Sequence, residues 1–471
     1  MSKILLLVSL LMTSMFANSA PTILKAVQEP LRVHGKETTV FDIIQPDGTK
    51  GFTGNKGELF DVILKNETSV PISIHWHGLV VPNNQDGIPY VTQLPIPPGS
   101  SQHYQFKLLQ AGTYWMHSHF KFHEQELMSA PLILKDTQEP YAGDKDVVVM
   151  FQGFSFKKPE EIFNELQHQP MADMNMDMSS KPDLNDVTFD AYLANRRTLS
   201  DPEIVAVKPS EKIRLRLING STASNFWINT GKLKATAIAV DGNNIQPIQD
   251  RRFQLAVAQR MDLEVTIPKS GGAFPILAQV EGTKQQTGII LVTSGTAAPQ
   301  LSEQANNEIP ALNNKQEFLF HSLQPLAKKP VTKTLNYKLT GDMQRYIWKI
   351  NNQVWPHVTP YKIKQGDRVE MVFTNDTGMA HPMHFHGHIF QVTEIKGKQL
   401  ANGPLRDTIL VLPHTTQKIV FDADNPGIWM LHCHVLYHMQ AGMMTTTNYQ
   451  DYPLPDYYVD ILNGKIPADA M

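Results

Sequence analysis

The sequence predicts an all-β protein built from three Greek-key β-sandwich domains, and three observations carry that prediction. The 471 residues include 32 Pro and 28 Gly, which punctuate many short β-branched runs with turn signals. One strand pattern occurs three times: Glu58-Leu-Phe-Asp-Val-Ile-Leu-Lys-Asn66, Glu211-Lys-Ile-Arg-Leu-Arg-Leu-Ile-Asn219 and Asp367-Arg-Val-Glu-Met-Val-Phe-Thr-Asn375. Each copy alternates, opens on an acidic residue and closes on Asn. The copies are 153 and 156 residues apart, close to a third of the chain, so what repeats is a whole domain. Short strands broken by turns such as Pro97-Pro98-Gly99 and Asn425-Pro426-Gly427 suit antiparallel sandwiches.

The N-terminus comes first. Met1-Ser2-Lys3, an apolar run Ile4–Phe16 and the small residues Ala17-Asn18-Ser19-Ala20 read as a secretory signal peptide over residues 1–20. The run is shorter than the roughly 20 apolar residues that a membrane span takes. No twin arginine precedes it, so the general secretory route and a periplasmic location are expected, with cleavage after Ala17, Ser19 or Ala20 all compatible.

The first domain is expected over residues 21–138. His75 and His77 follow Asn66 by nine and eleven residues, and Gly112-Thr-Tyr-Trp-Met-His117-Ser-His119 comes later. The second domain, over residues 146–295, reads Ser224-Asn-Phe-Trp-Ile-Asn-Thr230 where histidines would stand, so it keeps the fold without the metal-binding residues. It carries instead Met171, Met174, Met176 and Met178 just after His168, interleaved with Asp, Asn and Ser. Thioethers select cuprous ion, and the polar interleaving does not suit a core. The expectation is a Cu(I)-collecting loop; an acidic loop of no function, with Met as flexible filler, is the alternative. The third domain, over residues 316–471, has His384 and His386 nine and eleven residues after Asn375, then Gly427-Ile-Trp-Met-Leu-His432-Cys-His434. Linkers are expected at Lys135–Asp146 and at Thr293–Lys315.

Cys433 is the only cysteine, which excludes an intrachain disulfide and leaves stability to large packed cores. The formal net charge of −3, without a basic patch, argues against a nucleic-acid partner. In a strand alternate side chains face opposite ways, so Cys433 points one way and His432 and His434 the other. The four His-x-His pairs, 75/77, 117/119, 384/386 and 432/434, place both rings of a pair on one face, and can converge from two facing domains. Eight imidazoles suit several copper ions better than one. His381, Cys433, His438 and Met443 remain, the two histidines, one cysteine and weak axial methionine of a blue copper site.

These motifs, HWHG at His75, HSH at His117, HPMHFHGH at His381 and HCHVLYHMQAGM at His432, resemble those of the three-domain multicopper oxidases: laccases, copper-efflux and copper-resistance oxidases. The resemblance spans nearly the whole mature chain and implies cupredoxin-like domains and four copper ions. By that resemblance His381, Cys433, His438 and Met443 are type 1 ligands, and His75 and His384 are type 2 ligands. His77, His117 and His434 match one type 3 copper; His119, His386 and His432 match the other. The implied chemistry is one-electron oxidation of a reductant at the type 1 site, coupled to four-electron reduction of dioxygen to water at the three-copper cluster. Met443 at the axial position implies a moderate type 1 potential.

Dioxygen reduction consumes protons, and Asp86, eleven residues after His75, stands where the family often carries an acid; a plain Asp-Gly turn is the other reading. Many bacterial relatives carry Glu directly after the last type 1 histidine, where this chain has Met439. Met379, two residues before His381, resembles a substrate-copper position of copper-efflux oxidases. The function expected is a monomeric oxidase of cuprous ion, phenols or both, supporting copper tolerance. The alternatives are a laccase for phenols or aromatic amines and a non-catalytic copper-binding protein. Ligand loss marks proteins of the last kind, whereas all twelve ligand positions are filled here.

Overall fold

The computed structural model describes residues 20–141, 143–168 and 184–467; residues 1–19 of the expected signal peptide and the methionines Met171, Met174, Met176 and Met178 lie outside them. Six sheets form three β-sandwiches, and the chain is nearly all β. The repeated strand takes the same place in each. Leu59–Asn66 runs parallel to Thr22–Val33 and antiparallel to Ser101–Lys107. Lys212–Asn219 sits likewise between Lys145–Phe154 and Arg260–Thr266, and Arg368–Asn375 between Lys333–Asp342 and Thr416–Asp422. Alternation buries one face of the first copy, Phe60, Val62 and Leu64, and partly exposes the other.

The closing asparagine is buried in all three copies and does the same work in each. Asn66 Nδ2 donates to the carbonyls of Val70 and Ile96, Asn219 Nδ2 to those of Ser224 and Leu255, and Asn375 Nδ2 to those of Met379 and Val411. Each Oδ1 accepts the backbone N–H two residues on, at Thr68, Ser221 and Thr377. A side chain that satisfies several buried backbone groups fixes the loop between two strands. The strand presented after that loop is Ile74–His77, Phe226–Asn229 or His381–Phe385.

Two features depart from the strands and linkers expected. The polar stretch after Thr293 is bound along the middle sandwich: Gln286 N–H donates to Glu303, Gly282 N–H to Ile309, and the Trp227 indole to Pro310. Short helices also appear, at Pro159–Gln167, Leu436–Gln440 and Asp456–Leu462. Leu436–Gln440 is functional in placement. It follows the strand Ile428–Cys433 and turns the chain so that His438 comes back beside Cys433.

Candidate metal centre

Strand pairing brings the His-x-His motifs together two by two. Ile74–His77 lies antiparallel to Gly112–Ser118, with His75 opposite His117. His381–Phe385 lies antiparallel to Ile428–Cys433, with His384 opposite His432 and Met383 opposite Cys433. The first and third sandwiches then face each other across these pairs. His75 Nε2 lies 3.4 Å from His384 Nε2, and His119 Nε2 lies 3.3 Å from His432 Nε2.

Three histidine groups result. His77, His117 and His434 form one triad and His119, His386 and His432 a second, while His75 and His384 meet beside His77. The ligand atoms within each of these groups lie within 4.8 Å of one another. Cys433 points away from them, as alternation requires. Its Sγ is 3.6 Å from His381 Nδ1 and 3.6 Å from His438 Nδ1, and these two nitrogens are 3.2 Å apart. Met443 is buried beside this trio, its N–H bonded to the His438 carbonyl and its carbonyl to the Cys433 N–H.

The donor atoms fit copper. The inward nitrogens approach one another closely, at 3.0 Å for His386 Nε2 and His432 Nε2 and 3.4 Å for His77 Nδ1 and His117 Nε2. Two imidazoles on one tetrahedral ion stand about 3.3 Å apart. His434 Nε2 is buried without any hydrogen-bond partner. Burial pushes the imidazoles of His77, His117, His119, His384, His386 and His434 well below the ordinary histidine range and that of His432 down to about 3, so their lone pairs are free at neutral pH. Burial pushes the Cys433 thiol up, so the thiolate needs a cation beside it. Imidazoles, a thiolate and a buried thioether are copper's preferred ligands.

Outer hydrogen bonds set which ring nitrogen faces inward. His75 Nδ1 gives its hydrogen to the Asp86 carbonyl at 3.0 Å, and His386 Nδ1 bonds Asp86 Oδ2 at 3.0 Å. Asp86 Oδ1 stays 3.2 Å from His75 Nδ1 without a hydrogen bond of its own. The Asp-Gly turn is present as well, with Gly87 at φ +79°. His77 Nε2 bonds Asp407 Oδ1 at 3.1 Å, and His384 Nδ1 bonds the Asp407 carbonyl at 2.8 Å. His117 Nδ1 lies 2.8 Å from Glu124 Oε2, a carboxyl that burial pushes well above its ordinary range. At the cysteine site His381 Nε2 meets Thr377 Oγ1 at 2.7 Å, and the Trp348 ring lies over His438 at 4.1 Å.

Asp407, Glu124 and Asp186 were not legible as site residues, because each reaches a histidine through the tertiary fold. Asp186 belongs to the middle sandwich, yet its Oδ2 lies 2.7 Å from His438 Nε2 and accepts from the Tyr346 hydroxyl. Met379 is 5% exposed and packed in the core.

The chain matches three models of the multicopper oxidase family, over residues 51–139, 159–300 and 328–452. It is 30% identical over 409 residues to multicopper oxidase MmcO of Mycobacterium tuberculosis, covering 83% of this chain and 80% of that protein. It is 26% identical to copper resistance protein A of Escherichia coli, covering 82% and 86%. The fold superposes on Fet3p, a multicopper oxidase that functions in iron import, with TM-score 0.78 at 19% identity over 95% of this chain and 97% of that one.

Proposed function

The chain belongs to the multicopper oxidases, and on that footing we propose that it oxidises cuprous ion, phenols or both while reducing dioxygen to water, in support of copper tolerance in the periplasm. Membership makes it a copper-dependent oxidoreductase with dioxygen as acceptor. The finer reading assigns His381, Cys433, His438 and Met443 to a type 1 site and His75 and His384 to type 2. It gives one type 3 copper to His77, His117 and His434, and the other to His119, His386 and His432, four ions in all. The observation that carries it is the strand end His432-Cys433-His434, whose cysteine faces one set of ligands and whose histidines face the other.

Bound copper would take up single electrons at the cysteine site and deliver them four at a time to dioxygen at the cluster. The protein's part is to join the two. From Cys433 the path runs through its own backbone to His432 and His434, and His432 Nδ1–H bonds the Cys433 carbonyl at 3.0 Å, which shortens it. Asp186, on His438, places a carboxylate where electrons arrive, and a negative charge there favours a cationic reductant. Asp86 bridges a type 2 and a type 3 ligand and is placed to pass a proton inward. Glu124 adds a buried carboxyl on the first sandwich, where Met439 offers none. We assign cuprous-ion collection to Met171, Met174, Met176 and Met178, which lie outside the described residues but precede Asp186 closely in sequence.

Oxygen consumption by the copper-loaded protein, with Cu(I), Fe(II) and a phenol as separate reductants, tests the reading. Cuprous ion is expected to give the highest kcat/KM. A phenol preferred under all copper concentrations would make the protein a laccase, and no consumption with any reductant would make it a binding protein.

A further inference from the structure

Among the described residues the middle sandwich lends no ligand to the histidine cluster, yet it sends one arginine into the cluster's wall. Arg260 opens the strand Arg260–Thr266 and is fully buried. Its guanidinium grips the Asp407 carboxylate with both arms, NH1 to Oδ1 at 2.8 Å and NH2 to Oδ2. Nε donates to the Thr113 carbonyl of the first sandwich at 3.2 Å, and NH1 also donates to Ala258. Arg260 thus ties together residues of all three sandwiches at one point.

The grip acts on two histidines. Asp407 Oδ1 is the acceptor for His77 Nε2 at 3.1 Å, and the Asp407 carbonyl is the acceptor for His384 Nδ1. Asp407 Oδ1, with the Thr408 hydroxyl 3.3 Å away as a second neighbour that itself donates to Asp407, holds the hydrogen of His77 on Nε2 and leaves Nδ1 facing His117. A two-point contact with a planar guanidinium fixes the carboxylate's rotation, which a single donor cannot do. Gly78, the last residue of His75-Trp-His-Gly78, makes room for the pair: at φ +88°, a Cβ there would lie 2.6 Å from both Arg260 NH2 and Asp407 Oδ2.

The arginine is itself anchored. Asp241 of the middle sandwich stands 3.7 Å from Arg260 and 3.1 Å from Arg406, and Arg406 grips Glu317, with NH2 to Oε2 at 2.8 Å. The result is a buried line of alternating charge, Asp407, Arg260, Asp241, Arg406 and Glu317. A charge removed from such a line leaves its neighbour uncompensated in the interior.

We infer that Arg260 is a positioning residue for the copper cluster: through Asp407 it sets the ring nitrogen and orientation of His77 and His384, so that the domain without ligands is part of the cluster's frame. The inference rests on the proposed cluster assignment.

The test compares Arg260→Gln and Arg260→Lys with Arg214→Gln, all in the full-length protein reconstituted with copper. Arg214 is buried at the same junction, on Asp262, which accepts from Thr113, but none of its bonds reaches a histidine. Copper per chain, the cysteine-site absorption and the type 2 electron paramagnetic resonance signal are read across a chelator titration. Arg260→Gln is expected to keep the cysteine-site absorption and to lose cluster copper at about tenfold lower chelator. Arg260→Lys should fall between it and the parent with an altered type 2 signal, and Arg214→Gln should match the parent. Should the Gln variant fail to fold, the Lys variant carries the comparison. The inference is overturned if the Arg260 variants hold cluster copper as the parent does, or if Arg214→Gln loses it equally. A parent that binds copper only at the cysteine site would overturn the cluster assignment itself, and the inference with it.

Discussion

His438 Nε2 meets Asp186 Oδ2 at 2.7 Å, a bond between residues 252 positions apart that joins the cysteine-site ligand of the third sandwich to the middle one. The side chain of Asp186 is 3% exposed, so this carboxylate is buried against the ligand. Asp186→Ala removes a negative charge from the back of the imidazole. The expected result is about tenfold lower kcat/KM for Cu(I) or Fe(II), a smaller loss for an uncharged phenol, and a higher cysteine-site potential. Equal losses on cationic and neutral reductants would show that Asp186 only holds the ring.

Asp86→Asn keeps the shape of the turn and the bond to His75 through its carbonyl, but removes the acid. Oxygen reduction should slow by about a hundredfold, the lower part of the range for a positioned acid, and the pH profile of turnover should shift. Stopped-flow reoxidation of the reduced protein measures it; unchanged turnover with an unchanged profile would reduce Asp86 to a turn residue that orients His75 and His386.

The repeated asparagines offer a separation of fold from site. Asn219→Ala and Asn375→Ala each strip several buried backbone groups of their partner and should each cost about 3 kcal/mol by chemical denaturation. Only Asn375→Ala should also weaken the cysteine-site absorption, because its loop leads into His381. Loss of that absorption in both variants would contradict the parallel.

Acid should destabilise the metal-free protein in a defined window. Burial holds the folded pKa of His123 near 4 and that of His432 near 3, below the ordinary 6.5 of the unfolded chain. The unfolded state therefore binds more protons below pH 6.5, so stability falls as pH drops from about 6.5 towards 4, by up to about 1.4 kcal/mol per pH unit for each such group. Melting of the metal-free protein across that range measures it, and His123→Phe should flatten part of the slope. A melting temperature constant from pH 7 to 4 would refute it.

Deleting residues 168–180 should lower Cu(I) oxidation at least several-fold more than phenol oxidation, since only the ion needs thioethers to collect it. Paired initial rates on the two substrates decide the matter, with equal losses against the methionines.

Much of the fold was legible in the sequence, and so were the histidines and the cysteine of the candidate site. The triplicated strand ending in Asn66, Asn219 and Asn375 announced three sandwiches, because that asparagine closes a local loop whose bonds recur wherever the strand does. The His-x-His pairs were legible for a similar reason, since a period of two puts both rings on one face. His438 was named from the motif as a partner of Cys433, but the helical turn at Leu436–Gln440 that carries it there was not, because a strand reading does not contain it. Met379 is close to His381 in sequence, and the loop bonds at Asn375 and Thr377 are what bury it, which sequence distance does not specify.

The sequence by itself determined the chemistry on offer: a lone Cys433 between two histidines, four matched pairs, and a middle copy without them. Those facts follow from side-chain identity and strand period, both local. Tertiary structure alone decided which groups would hold the rings. Asp407 reaches His77 across 330 positions, Arg260 reaches Asp407 across 147, and Asp186 reaches His438 across 252. An outer hydrogen bond needs a single atom in the right place, and no periodicity within one strand specifies an atom delivered by another domain.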